Sequence, residues 1–152
     1  MKKTTKLIGL LILVLVLTAC GDAGQSTRTF ELSQDGILTT LVYTYKDDVV
    51  SKQSAKNIIP YSLIGVTSKE EAKALLAPMS EEFQGYDGLT HKIDYDNEKA
   101  IETIVVDYTV LDFKAVEDLP GMMFDGDAAE LGISMEQSAQ MLQEQGFVEI
   151  KK

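Results

Sequence analysis

Cys20 carries the only thiol of this 152-residue chain, and it stands directly after an apolar run. Three lysines precede that run, which extends from Leu7 to Leu17 with Gly9 as its single interruption. A positive segment, an apolar segment and small residues, in that order, are typical of a secretory signal peptide. The run is well short of the roughly 20 residues that a membrane-spanning helix needs. Residues 1–19 are therefore predicted to be a signal peptide.

The tetrapeptide Leu17-Thr18-Ala19-Cys20 resembles the lipobox of bacterial lipoproteins, in which a diacylglyceryl group is attached to the cysteine and the chain is cleaved before it. Cleavage alone would leave a lone thiol in an oxidising compartment, where one cysteine permits no intrachain disulfide. A buried cysteine at a helix end, the alternative, would not explain the polar residues that follow at once. We predict lipidation of Cys20 and anchoring on the extracytoplasmic face of the cell membrane. In a host with two membranes, Gly21 favours the outer one.

His91 is the only histidine, so a serine–histidine–acid site would have to be built on it. It lies in the inward register of a predicted strand, which favours a packed or edge histidine. No serine lies in a glycine-rich nucleophile turn, and one histidine without a free thiol argues against zinc. The sequence therefore predicts no catalytic residue, no metal site and no cofactor, and it predicts that the protein is not an enzyme.

Asp125-Gly126-Asp127 begins like the calcium-binding loop of an EF-hand. That pattern then requires another oxygen ligand and a glycine, but Ala129 and Glu130 occupy those places. A solvated acidic loop is predicted, with a loose cation site as the alternative. The pair Asp94 and Asp96 is of a kind that recurs by chance in a chain with 24 acidic residues, so it is weak evidence for a glycosidase.

Four tyrosines are predicted to lie on strands. Their amphipathic rings suit the lining of a ligand groove, but a core position with the hydroxyl at the rim is the commoner arrangement. They are Tyr43, Tyr45, Tyr95 and Tyr108.

The mature chain is strongly acidic. Residues 20–152 hold 11 basic and 24 acidic side chains, a net charge of −13. Nucleic acid is a poor partner for such a chain, because its binding depends on the neutralisation of phosphates by Lys and Arg. An anionic membrane surface repels it too, so the body is predicted to stand off from the bilayer. The length after residue 19 suits one domain.

Alternating apolar residues predict strands at 29–33, 37–46, 49–58, 89–95, 100–111 and 147–151. The polar third strand, with Lys52 and Lys56, is predicted to lie at a sheet edge. Ser68 and Ser134 are predicted to cap helices, and 112–117 is predicted to form a helical turn. The predicted fold is α+β, with two layers, an antiparallel-dominated sheet and two helices packed on one face. The predicted divisions are a signal peptide (1–19), the lipidated cysteine with a flexible tether (20–28) and a single α+β domain (29–152).

The first predicted helix contains Pro78 inside a stripe of apolar side chains. A proline in a helix removes an amide donor and costs roughly 3 kcal/mol, which burial of the stripe must offset. Because the stripe keeps its phase, one bent helix is predicted that buries Phe83 and stops near Gly85. The stripe consists of Ala72, Leu75, Leu76, Met79 and Phe83.

Short motifs through most of the mature chain resemble the YehR-like family of small bacterial lipoproteins. Their order and spacing carry the resemblance, since none of them is diagnostic alone. They are Thr-Ala-Cys-Gly-Asp (18–22), Tyr-Lys-Asp-Asp (45–48), Lys-Gln-Ser (52–54), Ser-Leu-Ile-Gly (62–65), Asp-Phe-Lys-Ala (112–115), Gly-Ile-Ser-Met-Glu-Gln (132–137) and Gln-Gly-Phe (145–147). The resemblance implies a compact α+β lipoprotein domain and brings no catalytic residues.

The sequence thus predicts a membrane-anchored envelope lipoprotein whose biochemical role is a binding or interaction function. Its predicted partners are the membrane, through the diacylglyceryl anchor on Cys20, and a small ligand or an envelope protein. A hydrolase of envelope polymers and a purely structural envelope protein are the alternatives.

Overall fold

The computed structural model describes residues 24–122, 124 and 128–151. Cys20, the predicted signal peptide and the Asp125–Asp127 loop lie outside the described residues. Every pair of neighbouring strands is antiparallel, in the order β4-β5-β3-β2-β1-β7, and β6 pairs with β3. The strands are β1 (Ser26–Gln34), β2 (Ile37–Lys46), β3 (Val49–Pro60), β4 (Leu89–Tyr95), β5 (Lys99–Asp107), β6 (Ile133–Ser134) and β7 (Val148–Glu149).

The α+β class and the antiparallel sheet are as predicted, but the prediction of two helices is wrong. The described residues form four α-helices and one 3-10 turn at Tyr61–Leu63. Two of the helices have only four residues. One of them confirms the helical turn predicted at 112–117, whereas the other is too short to show an apolar period in the sequence. The helices are α1 (Lys69–Glu82), α2 (Phe113–Val116), α3 (Ala128–Leu131) and α4 (Met135–Glu144).

One face of the sheet carries the core. A row of directly opposed side chains crosses five strands on this face: Phe30, Leu41, Ala55, Ile104 and His91. Helix α4 covers the Phe30 end through its buried apolar side chains. Helix α1 packs near the other end, with its buried side chains in one cluster with Ala100 of β5. On the other face the next row is polar, with Thr40, Lys56, Thr103 and Lys92 in register.

Strand β3 lies in the middle of the sheet, so the prediction of an edge strand is wrong. It pairs along most of its length with β2 on one side and β5 on the other. Lys52 and Lys56 occupy the uncovered face, where a long charged side chain stays in water even on a central strand. Lysines on a strand therefore indicated a solvated face and not an edge.

The first strand starts earlier than predicted, at Ser26 and not at residue 29. Arg28, assigned to the tether in the sequence, donates from Nε and Nη2 to the two carboxylate oxygens of Glu149, both at 2.8 Å. Glu149 lies on β7, which pairs with β1. The first strand therefore begins six positions after Cys20 in the sequence and is tied to β7 near the C-terminus.

Helix α1 begins and continues as predicted. Ser68 Oγ accepts a hydrogen bond from Glu71 N–H at 3.2 Å, and the Glu71 carboxylate accepts one from Thr67 N–H at 2.8 Å. The helix runs through Pro78, and Phe83 at its end is 3% exposed. Leu75, predicted in the buried stripe, is 51% exposed. Only a narrow face of α1 contacts the sheet. Leu75 precedes the buried Leu76 by one position and is therefore rotated by about 100° around the helix axis, away from that face.

Candidate functional site

The acidic pair singled out in the sequence does not form a site. The Asp94 side chain is 56% exposed and contacts Lys92 Nζ at 2.8 Å, while Asp96 is 63% exposed and lies 4.0 Å from Lys99 Nζ. Within the described residues, no group of three or more His, Cys, Asp or Glu side chains is arranged to hold a metal ion.

The most elaborate polar cluster surrounds His91, whose side chain is fully buried. His91 Nε2 lies 2.8 Å from Glu102 Oε1, and Nδ1 lies 3.0 Å from Ser80 Oγ on α1. Asn57 Nδ2 donates to Glu102 Oε2 at 2.7 Å, and Asn57 Oδ1 accepts from the Thr39 hydroxyl at 2.8 Å. The cluster joins strands β2, β3, β5 and β4 to helix α1 in one chain of hydrogen bonds.

The serine, histidine and acid resemble a hydrolase triad in connectivity but not in setting. In a serine-protease triad Nε2 faces the serine and Nδ1 faces the acid, whereas here the two nitrogens are exchanged. Ser80 lies inside α1, so the neighbouring backbone amides are committed to the helix and supply no oxyanion hole. The cluster therefore acts as a structural connection that holds α1 on the sheet.

The histidine was correctly predicted to be packed, and it stacks on Phe83 with 4.7 Å between ring centroids. Glu102 and Ser80 were missed. Glu102 shares the inward alternation with Ile104 and Val106, so an acid in an otherwise apolar register was a usable signal. Ser80 gave no such signal, because its position beside His91 depends on tertiary packing.

A groove lies between α1 and β4, directly over this cluster. Its volume is about 380 Å³, and Lys73 Nζ lies 5.8 Å from the centre of the Tyr95 ring at one end. Ser80 connects the groove to the buried His91. The lining residues are Lys73, Ala77, Ser80, Glu81 and Gln84 from α1, and Ile93 and Tyr95 from β4.

The groove is bordered by an unpaired sheet edge, since β4 is the last strand on its side of the sheet. The phase of the β4–β5 ladder follows from two bonds, Asp107 N–H to Gly88 C=O at 2.7 Å and Asp96 N–H to Lys99 C=O at 2.9 Å. In an antiparallel pair the bonded residues alternate with residues whose backbone groups point away. The bonded residues of β4 are thus Thr90, Lys92 and Asp94, and the outward ones are Leu89, His91, Ile93 and Tyr95.

Some of these outward groups have partners within the chain. Leu89 N–H donates to Tyr86 C=O at 3.2 Å, and His91 C=O accepts from Gln84 Nε2 at 3.3 Å. Among the described residues, the backbone N–H and C=O of Ile93 and Tyr95 have no such partner. These two residues also line the groove, so their free backbone groups border this cavity.

The carboxylates with clearly displaced pKa values are displaced downward. Hydrogen bonds are the largest cause in each case: from Ser134 to Asp48, from Thr67 to Glu71, from Thr109 to Asp107 and from Arg28 to Glu149. A glycosidase general acid needs the opposite, a carboxyl group whose pKa is raised. These carboxylates serve as hydrogen-bond acceptors at caps, turns and ion pairs.

Fold and site together define a small α+β domain with a half-covered antiparallel sheet, an open edge strand and no assembled catalytic centre in its described residues. The model of the family described as "Protein of unknown function (DUF1307)" matches residues 26–148, and the chain belongs to this family.

The relatives agree with this assignment along their whole length. The chain is 47% identical over 152 residues to the uncharacterized lipoprotein Lmo0207 of Listeria monocytogenes. This alignment covers all of this chain and 98% of the relative. It is 34% identical over 154 residues to the uncharacterized lipoprotein YehR of Escherichia coli, covering 99% and 100%. The NMR structure of YehR aligns with a TM-score of 0.73 and 31% identity, covering 84% of this chain and 91% of that one. The predicted resemblance to the YehR-like family is thereby confirmed, and the relatives of the chain are proteins named as lipoproteins in a family described as one of unknown function.

Proposed function

We propose that the protein is a lipid-anchored interaction module that binds an extended polypeptide segment along the edge of β4, beneath α1. The carrying observation is the pair of unpartnered backbone positions at Ile93 and Tyr95, both in the wall of the groove. A segment added to a sheet edge gains main-chain hydrogen bonds, and pockets for alternate side chains give selectivity. The proposal needs no catalytic residue, metal or cofactor.

The lipid anchor is the second part of the proposal. Cleavage before Cys20 and acylation of its sulfur would leave residues 21–25 as a linker before β1. A flexible linker of five residues has an r.m.s. span of about 12 Å, so the α+β domain that starts at Ser26 would remain close to the extracytoplasmic surface. The lipobox-like tetrapeptide and the naming of the relatives as lipoproteins support this part.

Cell fractionation tests the anchor. The variant Cys20→Ala should leave the membrane fraction, while a matched substitution at the first residue of β1, Ser26→Ala, should stay in it. A Cys20→Ala protein that pellets with membranes as fully as the wild type would refute the anchor. In a host with two membranes, separation of the two membranes on a density gradient shows which of them holds the protein.

Amide exchange tests the groove directly. In the free protein the amides of Ile93 and Tyr95 should exchange fast, and those of Thr90, Lys92 and Asp94 slowly, because only the second set is bonded to β5. A library of extended peptides is then screened, and a bound peptide should protect Ile93 and Tyr95. N-methylation of alternate peptide amides separates strand addition from other binding modes, since only one of the two alternating sets should abolish binding.

A groove-filling variant supplies the control. Ala77 is exposed in the groove wall, so Ala77→Arg should block the peptide without altering the core, whereas Ala74→Arg on an exposed part of the same helix should not. Peptide binding that protects neither Ile93 nor Tyr95, or that survives Ala77→Arg, would exclude strand addition. A screen with no binding peptide at all would leave the purely structural role as the better description.

A further inference from the structure

We infer that the strand which the β4 edge takes is β4 of a second copy of this chain, so that two anchored copies join their sheets about a two-fold axis at Ile93. This inference rests on the proposed strand-binding function of the groove and names its partner. A two-fold interface uses the same patch on both copies, so every contact must be reciprocal. The residues of both groove walls meet that condition.

The first wall is β4 itself. If two β4 strands pair antiparallel with Ile93 opposite its own copy, the outward backbone groups of His91, Ile93 and Tyr95 face each other in hydrogen-bonding phase. The intervening residues then bring Lys92 opposite Asp94 of the second copy, and the reverse pair forms on the other side of the axis. Both side chains are exposed, at 67% and 56%, and opposite charges in directly opposed positions stabilise a strand pair.

The second wall, helix α1, has a matching charge arrangement. Ala77 is flanked at four residues on either side by Lys73 and Glu81, and all three line the groove. Two such helices that meet antiparallel at Ala77 place each lysine near the glutamate of the other copy. Alanine at the centre permits a close approach of the two backbones.

The two centres of symmetry coincide along the groove. Lys73 Nζ lies over the ring of Tyr95, and Ser80 Oγ contacts His91. Ala77 lies between Lys73 and Ser80, and Ile93 lies between Tyr95 and His91, so Ala77 is level with Ile93. One two-fold axis therefore relates both walls of the groove to their copies. A groove that binds an unrelated peptide would not need this symmetry.

Charge and concentration are compatible with the pair. The mature chains carry −13 each, but exposed charges farther apart than a Debye length of about 8 Å are largely screened at physiological salt, and the contact itself pairs opposite charges. A lipid anchor confines the copies to one surface, which raises their effective concentration. A weak edge contact is then sufficient for association.

Self-cross-linking of the full-length lipoprotein in intact membranes is the decisive experiment. In the pair, the Cα atoms of residue 93 and its copy are about 5.5 Å apart, within the range for a disulfide. Ile93→Cys should therefore give a covalent dimer with a mild oxidant on a non-reducing gel. Thr90→Cys, about 20 Å from its copy along the strands, and the wild type should remain monomeric. Absence of the Ile93→Cys dimer, or equal cross-linking of Thr90→Cys, would overturn the inference.

Charge reversal gives a second readout that keeps Ile93. A zero-length carbodiimide reagent should couple Lys92 of one copy to Asp94 of the other in the wild type. Lys92→Glu should abolish this product, because it removes the amine that forms the amide bond and makes the two pairs between the copies repulsive. The double variant Lys92→Glu with Asp94→Lys should restore it, and Lys56→Glu on the uncovered sheet face should have no effect. A double variant that stays as low as the single one would contradict reciprocal pairing.

The two levels of the argument fail separately. If peptides protect the amides of Ile93 and Tyr95 but the cysteine and charge variants show no dimer, the groove binds strands and the second copy is wrong. If neither peptides nor a second copy protect these amides, both the strand-binding function and the inference about its partner are refuted.

Discussion

Removal of the histidine nitrogens from the buried cluster should destabilise the domain strongly and in a way that depends on Glu102. The variant His91→Phe retains an aromatic ring against Phe83 but provides no partner for Glu102 Oε1, which His91 Nε2 contacts at 2.8 Å in the wild type. The Glu102 side chain is only 11% exposed, so water replaces the lost partner poorly. Ser80 borders the groove, so its hydroxyl can turn to solvent at little cost.

The magnitude follows from these contacts. A hydrogen bond to a charged group contributes about 1.5–3 kcal/mol, and leaving a buried polar atom unpaired costs about 1–3 kcal/mol. His91→Phe should therefore lower the free energy of unfolding by about 2–4 kcal/mol. A domain of this size has a stability on the order of 5–15 kcal/mol, so the variant should still fold and its loss should be measurable.

A double-mutant cycle with Glu102→Gln isolates the pair. Urea unfolding, followed by circular dichroism, gives the free energy for the wild type, the two single variants and the double variant. The coupling between His91 and Glu102 should be about 1.5–3 kcal/mol. Lys56→Ala, on the uncovered face, should change stability by less than about 0.5 kcal/mol. A coupling below about 0.5 kcal/mol would refute the stabilising role assigned to the contact between His91 and Glu102.

Three further outcomes are expected. Arg28 lowers the pKa of Glu149 by hydrogen bonding, so the ion pair stabilises the folded state above the unfolded pKa of a glutamate, and this stabilisation is lost as the pH falls through the folded pKa. The difference in stability between the wild type and Glu149→Gln should therefore shrink in acid. A constant difference from pH 7 to pH 3 would count against the pair. Gly88→Ala should destabilise the domain far more than Gly85→Ala. Both glycines have positive φ, but of the two only Gly88 would place a Cβ 2.7 Å from a backbone oxygen. Equal shifts of the melting temperature would contradict this. Pro78→Ala should raise the free energy of unfolding by about 1–3 kcal/mol by supplying the missing amide donor to α1, and an unchanged urea midpoint would show that the helix does not close that bond.

The local elements were largely predictable because their signals lie within a few residues. The Ser68 and Ser134 caps each accept a bond from the amide three residues on, and the Asp-Gly turn after β1 has positive φ at both of its residues. Such contacts depend on neighbouring side chains and backbone geometry, which a sequence displays directly.

The site was not predictable for the opposite reason. Ser80 meets His91 only because α1 packs on β4, and Glu102 meets it only because β5 pairs with β4. The open edge exists only because β4 is the last strand in the order. The central position of β3 was hidden for a similar reason, since alternation reports which face a side chain occupies and not how many neighbours the strand has.

The junction of β1 with β7 has a consequence for how an exported chain reaches its folded state. Phe30 is fully buried in one cluster with α4, and its partner on the β7 side is Glu149, so the pairing of β1 is completed only by residues near the end of the domain. Arg28 and Glu149 are 121 positions apart. A chain that crosses a membrane from its N-terminus would expose β1 outside while the residues that bury it are still inside. In such an export the core could close only after nearly the whole polypeptide had passed, and the chain would stay unfolded and able to cross until then.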